Sequence, residues 1–183
     1  MKFYDFTVLD RFNKEFNLKD LEGKVILVVN TATQCGFTPT YSELEEVYEE
    51  LNNKGFEILD FPCNQFGSQA PGTSDEIHTF CETRFGIKFP QMKKIDVNGE
   101  NAIELYKFLK SQKSFAGFDE THKLTPILKD ILSKVDKDYE KSSEIKWNFT
   151  KFLIGKNGDV VARFEPTTSI KVVKEAILNE LNK

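Results

Sequence analysis

Residues 24–44, KVILVVNTATQCGFTPTYSEL, run from an apolar segment through a short polar stretch into a helical pattern. The apolar segment 25–29 is continuous and mostly β-branched, which predicts a strand buried on both faces of a sheet. The polar stretch carries one cysteine, Cys35, just before the predicted start of the helix. Two questions follow, namely which sheet the strand belongs to and what a lone thiol does at its end.

The helix after Cys35 is predicted to span roughly sixteen residues. Pro39 suits its first turn, and the hydroxyl of Thr38 or Thr40 can cap it. Apolar residues recur at helical spacing, and Gly55 is the residue type that commonly ends a helix. A buried strand followed by a helix begins a β-α-β unit, whose crossover is expected to be right-handed.

The rest of the chain continues the alternation of strands and helices. Alternating residues at the N-terminus, over 4–18, predict a β-hairpin before the central strand. The further predicted elements are, in order, a buried strand at 56–62, a polar loop at 63–73, a helix capped by Ser74, an edge strand within 89–97, a helix within 101–112, a hairpin around Asn157 and Gly158, and an amphipathic helix within 169–183.

This order predicts an α/β protein with a thioredoxin-like fold, in which helices flank a central mixed β-sheet and an N-terminal β-hairpin precedes it. Open α/β sheets bind ligands beyond the carboxyl ends of their strands, where Cys35 and the loop 63–73 both lie. We expect residues 1–183 to form a single domain. Within it, residues 113–145 are interpreted as an inserted, partly helical segment, whose apolar residues pack on the domain itself or, alternatively, contact a partner.

Composition argues against several classes of function. The 183 residues carry a formal net charge of −4 and no long basic stripe, so a nucleic-acid partner is not expected. No apolar run reaches about 18 residues, which predicts no membrane span, and the N-terminus lacks a signal-peptide pattern, which favours a cytoplasmic location. The three cysteines form no CxxC motif and the two histidines lie far apart, so neither a metal nor another cofactor is predicted.

A thiol placed before a helix is either a reactive group or a small buried side chain. Unpaired amides at a helix N-terminus favour the thiolate form. Complete ionisation raises the concentration of the nucleophile only roughly thirty-fold, whereas enzymes accelerate reactions by about a million-fold or more. If Cys35 is a nucleophile, neutral hydrogen-bond donors must therefore stabilise the negative charge that develops in the transition state.

Two other segments contain donors of this kind. Each donor also has a purely structural interpretation, because a buried tryptophan often anchors a core and a loop amide often braces its own backbone. The donors are Asn64, Gln65 and Gln69 in FPCNQFGSQAPG, residues 61–72, and Trp147 and Asn148 in KWNFTKFL, residues 146–153.

Three segments together resemble the signature segments of the glutathione peroxidase family, in its cysteine-containing form. They are NTATQCGFTPTY at 30–41, FPCNQFGSQAPG at 61–72 and IKWNFTKFLIGKNGDVVARFEP at 145–166. The resemblance extends from about Phe3 to Leu181. It implies a thiol peroxidase that reduces hydrogen peroxide and organic hydroperoxides in the response to oxidative stress. It also implies that Cys35 is the peroxidatic residue and that Gln69, Trp147 and Asn148 are its partners.

The resemblance also implies a resolving cysteine at Cys81, because thioredoxin-dependent members carry one in the corresponding helix. The alternatives are that Cys81 only packs in the core, or that Cys63 resolves the sulfenic acid. A disulfide requires Cα atoms within about 7 Å, so helix 74–85 is expected to unwind locally before Cys81 meets Cys35.

The physiological reductant is expected to be thioredoxin rather than glutathione, because the helix after Cys35 is acidic and offers no basic residues to hold glutathione. We expect a monomer or a weak homo-oligomer. Two alternative functions use the same thiol chemistry. A peroxide sensor would relay its oxidation to a partner protein, and a disulfide carrier would need no peroxide, although the absence of CxxC disfavours it.

Overall fold

The computed structural model describes all residues 1–183, and its centre is a four-stranded mixed sheet in the order β4-β3-β5-β6. Strand β3 pairs in parallel with β4 and antiparallel with β5, and β5 pairs antiparallel with β6. A separate antiparallel hairpin, β1-β2, lies at the N-terminus. The strands are β1 Thr7–Leu9, β2 Glu15–Asn17, β3 Val25–Thr31, β4 Phe56–Pro62, β5 Lys151–Ile154 and β6 Val160–Phe164.

Five helices connect or follow these strands, so the predicted α/β architecture with its N-terminal hairpin is confirmed. All seven residues of β3 are buried, as the continuous apolar run predicts for a strand covered on both faces. The helices are α1 Tyr41–Leu51, α2 Ser74–Phe85, α3 Glu104–Gln112, α4 Thr125–Val135 and α5 Ile170–Leu181.

The helical stretch after Cys35 has the predicted extent, but its predicted cap is wrong. A 3₁₀ turn, Thr38–Thr40, leads into α1, and a second one, Asn52–Lys54, ends at Gly55 with φ +91°. That left-handed conformation is one that glycine adopts without steric cost. Neither threonine caps α1. The Thr38 hydroxyl accepts a hydrogen bond from the Cys35 amide, and the Thr40 hydroxyl donates to the Phe37 carbonyl.

The predicted edge strand within 89–97 is also wrong. The segment forms only isolated bridges, because its amides bond to different elements instead of to one neighbouring strand. The Met92 amide donates to the Asp60 carbonyl of β4, and the Lys93 amide donates to the Leu9 carbonyl of β1. The Lys94 amide donates to the hydroxyl of Ser74, whose predicted capping role belongs instead to Thr73.

Residues 113–145 contain α4 and a short 3₁₀ turn, Tyr139–Lys141. Leu128 of α4 is buried, whereas Ile127 and Ile131 are 54% and 37% exposed. The expectation that the apolar residues of this segment pack on the chain itself therefore holds for Leu128 but not for those two isoleucines. No helix of the protein is both long and apolar enough to cross a membrane.

Candidate active site

Cys35 lies in a tight loop at the carboxyl end of β3. Cys35 is 7% exposed, and the Phe37 amide donates a hydrogen bond to its Sγ at 3.3 Å. The Thr38 hydroxyl accepts from the Cys35 amide at 3.0 Å and donates to the Ala32 carbonyl at 2.8 Å. The loop is therefore fixed from both sides of the cysteine, with the sulfur directed toward the 3₁₀ turn that precedes α1.

The loop after β4 packs against the Cys35 loop through backbone hydrogen bonds. The Gln69 carbonyl accepts from the amides of Thr33 and Gln34, at 3.1 and 2.9 Å. The chain reverses at Gly67, with φ +66°, where a Cβ atom would meet the Gln69 side chain at 3.4 Å. This turn brings Gln69 back toward the end of β3.

The segment before β5 completes the site. The Asn148 Nδ2 donates to the Gln69 Oε1 at 3.1 Å. The side chains of Asn148 and Trp147 lie near enough to the Cys35 sulfur to lower the pKa of its thiol. The structure therefore places Trp147 and Asn148 beside Cys35, and Gln69 joins this group through its hydrogen bond with Asn148. The Oδ1 of Asn148 is buried and has no hydrogen-bond partner.

Gln65, the other glutamine of the loop, faces away from this group. Its Oε1 accepts from the amides of Val97 and Asn98, at 2.8 and 3.0 Å, and its Nε2 donates to the Asn98 carbonyl at 2.9 Å. Gln65 therefore braces the turn at 97–99. The residue types alone left both glutamines as candidates, the family resemblance selected Gln69, and Gln69 is the one that bonds to Asn148.

Burial of Cys35 raises the pKa of its thiol, although the Phe37 amide, Asn148 and Trp147 act in the opposite direction. The backbone amides of the helix N-terminus favour the thiolate, as expected, but theirs is not the largest effect on the pKa of this thiol. Desolvation outweighs the donors because the sulfur is almost fully enclosed. The same donors remain in place to stabilise negative charge once it forms on the sulfur.

Cys81 is fully buried in α2 beside a polar cluster centred on Asp60. Burial and the Asp60 charge raise the pKa of the Cys81 thiol to about 12. Asp60 accepts hydrogen bonds from the hydroxyls of Thr31 and Tyr41 and from the Gln91 Nε2. The three cysteines are all free thiols, so Cys81 is not linked to Cys35 while α2 is intact.

Cys63 follows β4 and has no exposed surface. Burial raises the pKa of its thiol to about 11, and the Sγ lies 3.5 Å from the Gln65 Oε1. It is held in the part of the loop that faces away from the site. No group of three or more His, Cys, Asp or Glu side chains converges to hold a metal ion.

The sequence did not indicate the positions of two side chains near the site, Thr38 and Lys151. Thr38 fixes the Cys35 loop, although its pattern suggested a helix cap. Lys151 lies inside the sheet with 1% of its surface exposed, although a lysine at the start of a strand usually marks an exposed end. The only sequence signal for Lys151 was its place between Trp147-Asn148 and an apolar run.

A thiol at the end of a central strand, faced by an indole and two carboxamides, is the arrangement that the sequence resemblance implies for a thiol peroxidase. The chain belongs to the glutathione peroxidase family, whose family model matches residues 3–110. It is 44% identical over 182 residues to glutathione peroxidase-like peroxiredoxin 2 of Saccharomyces cerevisiae, with 99% of this chain and 98% of the yeast protein covered. The family predicted from the three sequence segments is confirmed.

Solved structures agree with this assignment. The crystal structure of T. cruzi GPX1 superposes with a TM-score of 0.71 at 31% identity. The superposition covers 100% of this chain and 97% of the T. cruzi chain. A thiol:disulfide interchange protein of the thioredoxin family from Chlorobium tepidum gives a TM-score of 0.60 at 17% identity, over 96% of this chain and 92% of that one. The second likeness concerns the fold alone, and it confirms the predicted thioredoxin-like fold.

Proposed function

We propose that the protein reduces hydrogen peroxide and organic hydroperoxides with Cys35 as the nucleophile. The observation that carries this proposal is the convergence of Cys35, Trp147 and Asn148 at the end of β3, with Gln69 bonded to Asn148. Trp147 and Asn148 carry neutral donors, and Gln69 accepts a hydrogen bond from Asn148. Neutral donors suit a site that must tolerate an uncharged thiol and then stabilise an anion. The buried Asn148 Oδ1 leaves one acceptor for the O–H of the incoming hydroperoxide.

In the proposed reaction the Cys35 sulfur attacks one oxygen of the hydroperoxide ROOH, and an S–O bond forms as the O–O bond breaks. Cysteine is oxidised to a sulfenic acid, and the peroxide is reduced to ROH, or to water when R is hydrogen. The proton released by the thiol leaves with the departing oxygen. Donors at Trp147 and Asn148 stabilise the anionic sulfur at the moment of attack.

Replacing Gln69 or Asn148 with alanine should slow the oxidation of Cys35 by about 10²-fold or more, the magnitude found when an oxyanion-type donor is removed. Asn148→Ala removes a donor to the sulfur, and Gln69→Ala removes the acceptor that orients the Asn148 amide. Stopped-flow tryptophan fluorescence under single-turnover conditions with hydrogen peroxide would give the rate constants.

Gln65→Ala is the matched control, because it removes the same side chain from the same loop without touching Asn148. It should leave the rate of Cys35 oxidation unchanged. A loss of no more than two-fold in both Gln69→Ala and Asn148→Ala would remove the basis for their proposed roles.

For resolution we propose Cys81. The sulfenic acid of Cys35 and the thiol of Cys81 would condense to a disulfide with release of water. Cys81 cannot react from its buried position, because its thiol is neutral and enclosed by Asp60, Tyr41 and Gln91. Local unfolding of α2 would move Cys81 away from this cluster, which both exposes the thiol and removes the carboxylate that keeps it protonated.

Thioredoxin is the reductant that we propose for the disulfide. Glu43 and Glu46 are exposed on α1, the helix that follows Cys35, and their charges would repel the anionic glutathione. The yeast relative carries the word peroxiredoxin in its name.

All four site residues belong to one chain, so the proposed reaction needs no second copy. The three free thiols suit a reducing compartment such as the cytoplasm, where the protein would act in the response to oxidative stress.

Peroxide consumption should be sustained by thioredoxin, thioredoxin reductase and NADPH, and it should be at least tenfold slower with glutathione and glutathione reductase at matched NADPH. The measurement is the absorbance of NADPH during turnover. Faster turnover with glutathione would overturn the choice of reductant. A single burst of oxidation with no sustained consumption in either system would favour the sensor function instead.

A further inference from the structure

Helix α2, which carries Cys81, has a narrow apolar face. Of its 12 residues only Ile77 and Cys81 are buried, and Phe80 is 36% exposed. Most helices in folded proteins owe their stability to an apolar face packed on the core. With only two buried side chains on α2, polar contacts carry a larger share of its attachment to the rest of the domain.

One chain of hydrogen bonds joins α2 to the central sheet. The His78 Nδ1 lies 2.6 Å from the Gln91 Oε1, and the Gln91 Nε2 donates to the Asp60 Oδ2 of β4 at 2.8 Å. Because the Gln91 oxygen can only accept, the His78 Nδ1 carries the proton. Backbone bonds hold Gln91 against β4, since the Asp60 amide donates to the Pro90 carbonyl and the Met92 amide donates to the Asp60 carbonyl. The bond between His78 and Gln91 is therefore the junction between helix and sheet.

Asp60 is the buried end of this chain. It has no exposed surface, and its carboxylate also accepts hydrogen bonds from the hydroxyls of Thr31 and Tyr41. These donors compensate only part of the desolvation of a buried charge. Cys81 follows His78 by three residues, which places the two side chains on neighbouring positions of one helix face. The residue that attaches α2 and the thiol that α2 buries therefore move together.

We propose that His78, Gln91 and Asp60 form a latch, which holds α2 over Cys81 and sets how readily the helix opens to release that thiol. All three are positioning residues, because they act through α2 and not on the peroxide. The inference deepens the proposed resolving role of Cys81, on which its link to turnover rests. It accounts for a buried carboxylate beneath a helix that stays closed in the reduced protein and must open after Cys35 is oxidised.

The ionisation of Asp60 gives the latch a pH dependence. Burial raises the pKa of Asp60 to about 6, although its three hydrogen-bond donors act in the opposite direction. Opening of α2 admits water to Asp60, whose pKa then falls toward the ordinary value of an aspartate. Ionisation therefore favours the open helix, so the latch is tightest at acidic pH and weakens as the pH rises through about 6. The titratable groups that face Asp60 are Tyr41 of α1, His78 and Cys81 of α2, and Tyr106 of α3.

Amide hydrogen exchange of the reduced wild-type protein, followed by NMR, tests the latch without any substitution. After correction for the intrinsic effect of pH, protection of the α2 amides should fall about tenfold between pH 5 and pH 7. Protection of α5, the other helix of 12 residues, should stay constant and serves as the internal control. Constant α2 protection over this range would overturn the role of Asp60.

Asp60→Asn removes the charge at nearly constant shape and keeps His78. Protection of α2 in this variant should no longer depend on pH. A dependence that persisted in Asp60→Asn would arise from His78 or another group, and it would overturn the role of Asp60.

His78→Leu removes the donor at the junction and leaves the buried Gln91 Oε1 without its partner. Protection of α2 should fall about tenfold and that of α5 should not, the magnitude expected when a buried acceptor loses its hydrogen bond. Thr79→Leu is the matched control, because it makes the same replacement at an exposed position of the same helix. Equal α2 protection in the two variants would overturn the latch.

The link to turnover is measured in the same variants. Because Cys81 reacts only from the open helix, rapid quenching after one equivalent of hydrogen peroxide should show the Cys35–Cys81 disulfide forming about tenfold faster in His78→Leu than in Thr79→Leu. Faster exchange of α2 without a faster disulfide would overturn the control of resolution by the latch. Absence of any Cys35–Cys81 disulfide would instead refute the role of Cys81, and the exchange results would stand.

Discussion

Cys35→Ser is expected to abolish peroxide reduction while the fold stays intact. The serine hydroxyl has nearly the shape of the thiol and can accept the same hydrogen bond from the Phe37 amide. It is far less nucleophilic, and it has no sulfenic acid state through which the two electrons could pass to the peroxide. Peroxide consumption with thioredoxin and its reductase should fall to the uncatalysed level, and circular dichroism should match that of the wild type.

Cys63→Ser is the control for this prediction, because it removes another buried thiol on the far side of the loop from the site. It should retain the oxidation step. A Cys35→Ser variant that keeps even a tenth of the wild-type turnover would show that Cys35 is not the nucleophile.

Cys81→Ser is expected to block thioredoxin-driven turnover and to spare the first oxidation. Serine is close to cysteine in size, and its hydroxyl suits a position beside the polar side chains of Gln91 and Tyr41. The sulfenic acid of Cys35 then has no resolving partner, so it accumulates and is oxidised further when peroxide is in excess. Stopped-flow measurement of the first turnover and mass spectrometry of the product would separate the two steps.

The first oxidation and the steady-state turnover of Cys81→Ser test two different parts of this prediction. Normal steady-state turnover of Cys81→Ser with thioredoxin would show that another group resolves the sulfenic acid. A slow first oxidation in this variant would show instead that Cys81 supports the structure of the Cys35 site.

The fold was predictable wherever a single local pattern decided an element. The apolar run of β3, the similar run of β4 and the hairpin around Asn157 and Gly158 each form as predicted. The edge strand within 89–97 was not predictable, because its backbone hydrogen bonds go to β1, β4 and Ser74. Tertiary contacts of this kind leave no periodicity in the sequence.

The site was predictable from residue types but not in its electrostatics. Cys35 and Gln69 follow predicted strands, Trp147 and Asn148 precede one, and the family resemblance selected these four among the candidate residues. The net direction of the Cys35 pKa depends on how completely the folded chain covers the sulfur, which no local sequence pattern reports. Lys151 was missed for the same reason, since its burial becomes visible only when β5 is placed inside the sheet.

Peptide mapping after oxidation tests the central claim most directly. The reduced protein would be treated with one equivalent of hydrogen peroxide, digested under non-reducing conditions with free thiols blocked, and examined by mass spectrometry. The account predicts one disulfide, between the peptides that contain Cys35 and Cys81. A Cys35–Cys63 disulfide, or a protein in which Cys35 remains an unmodified thiol after the peroxide has been consumed, would contradict it.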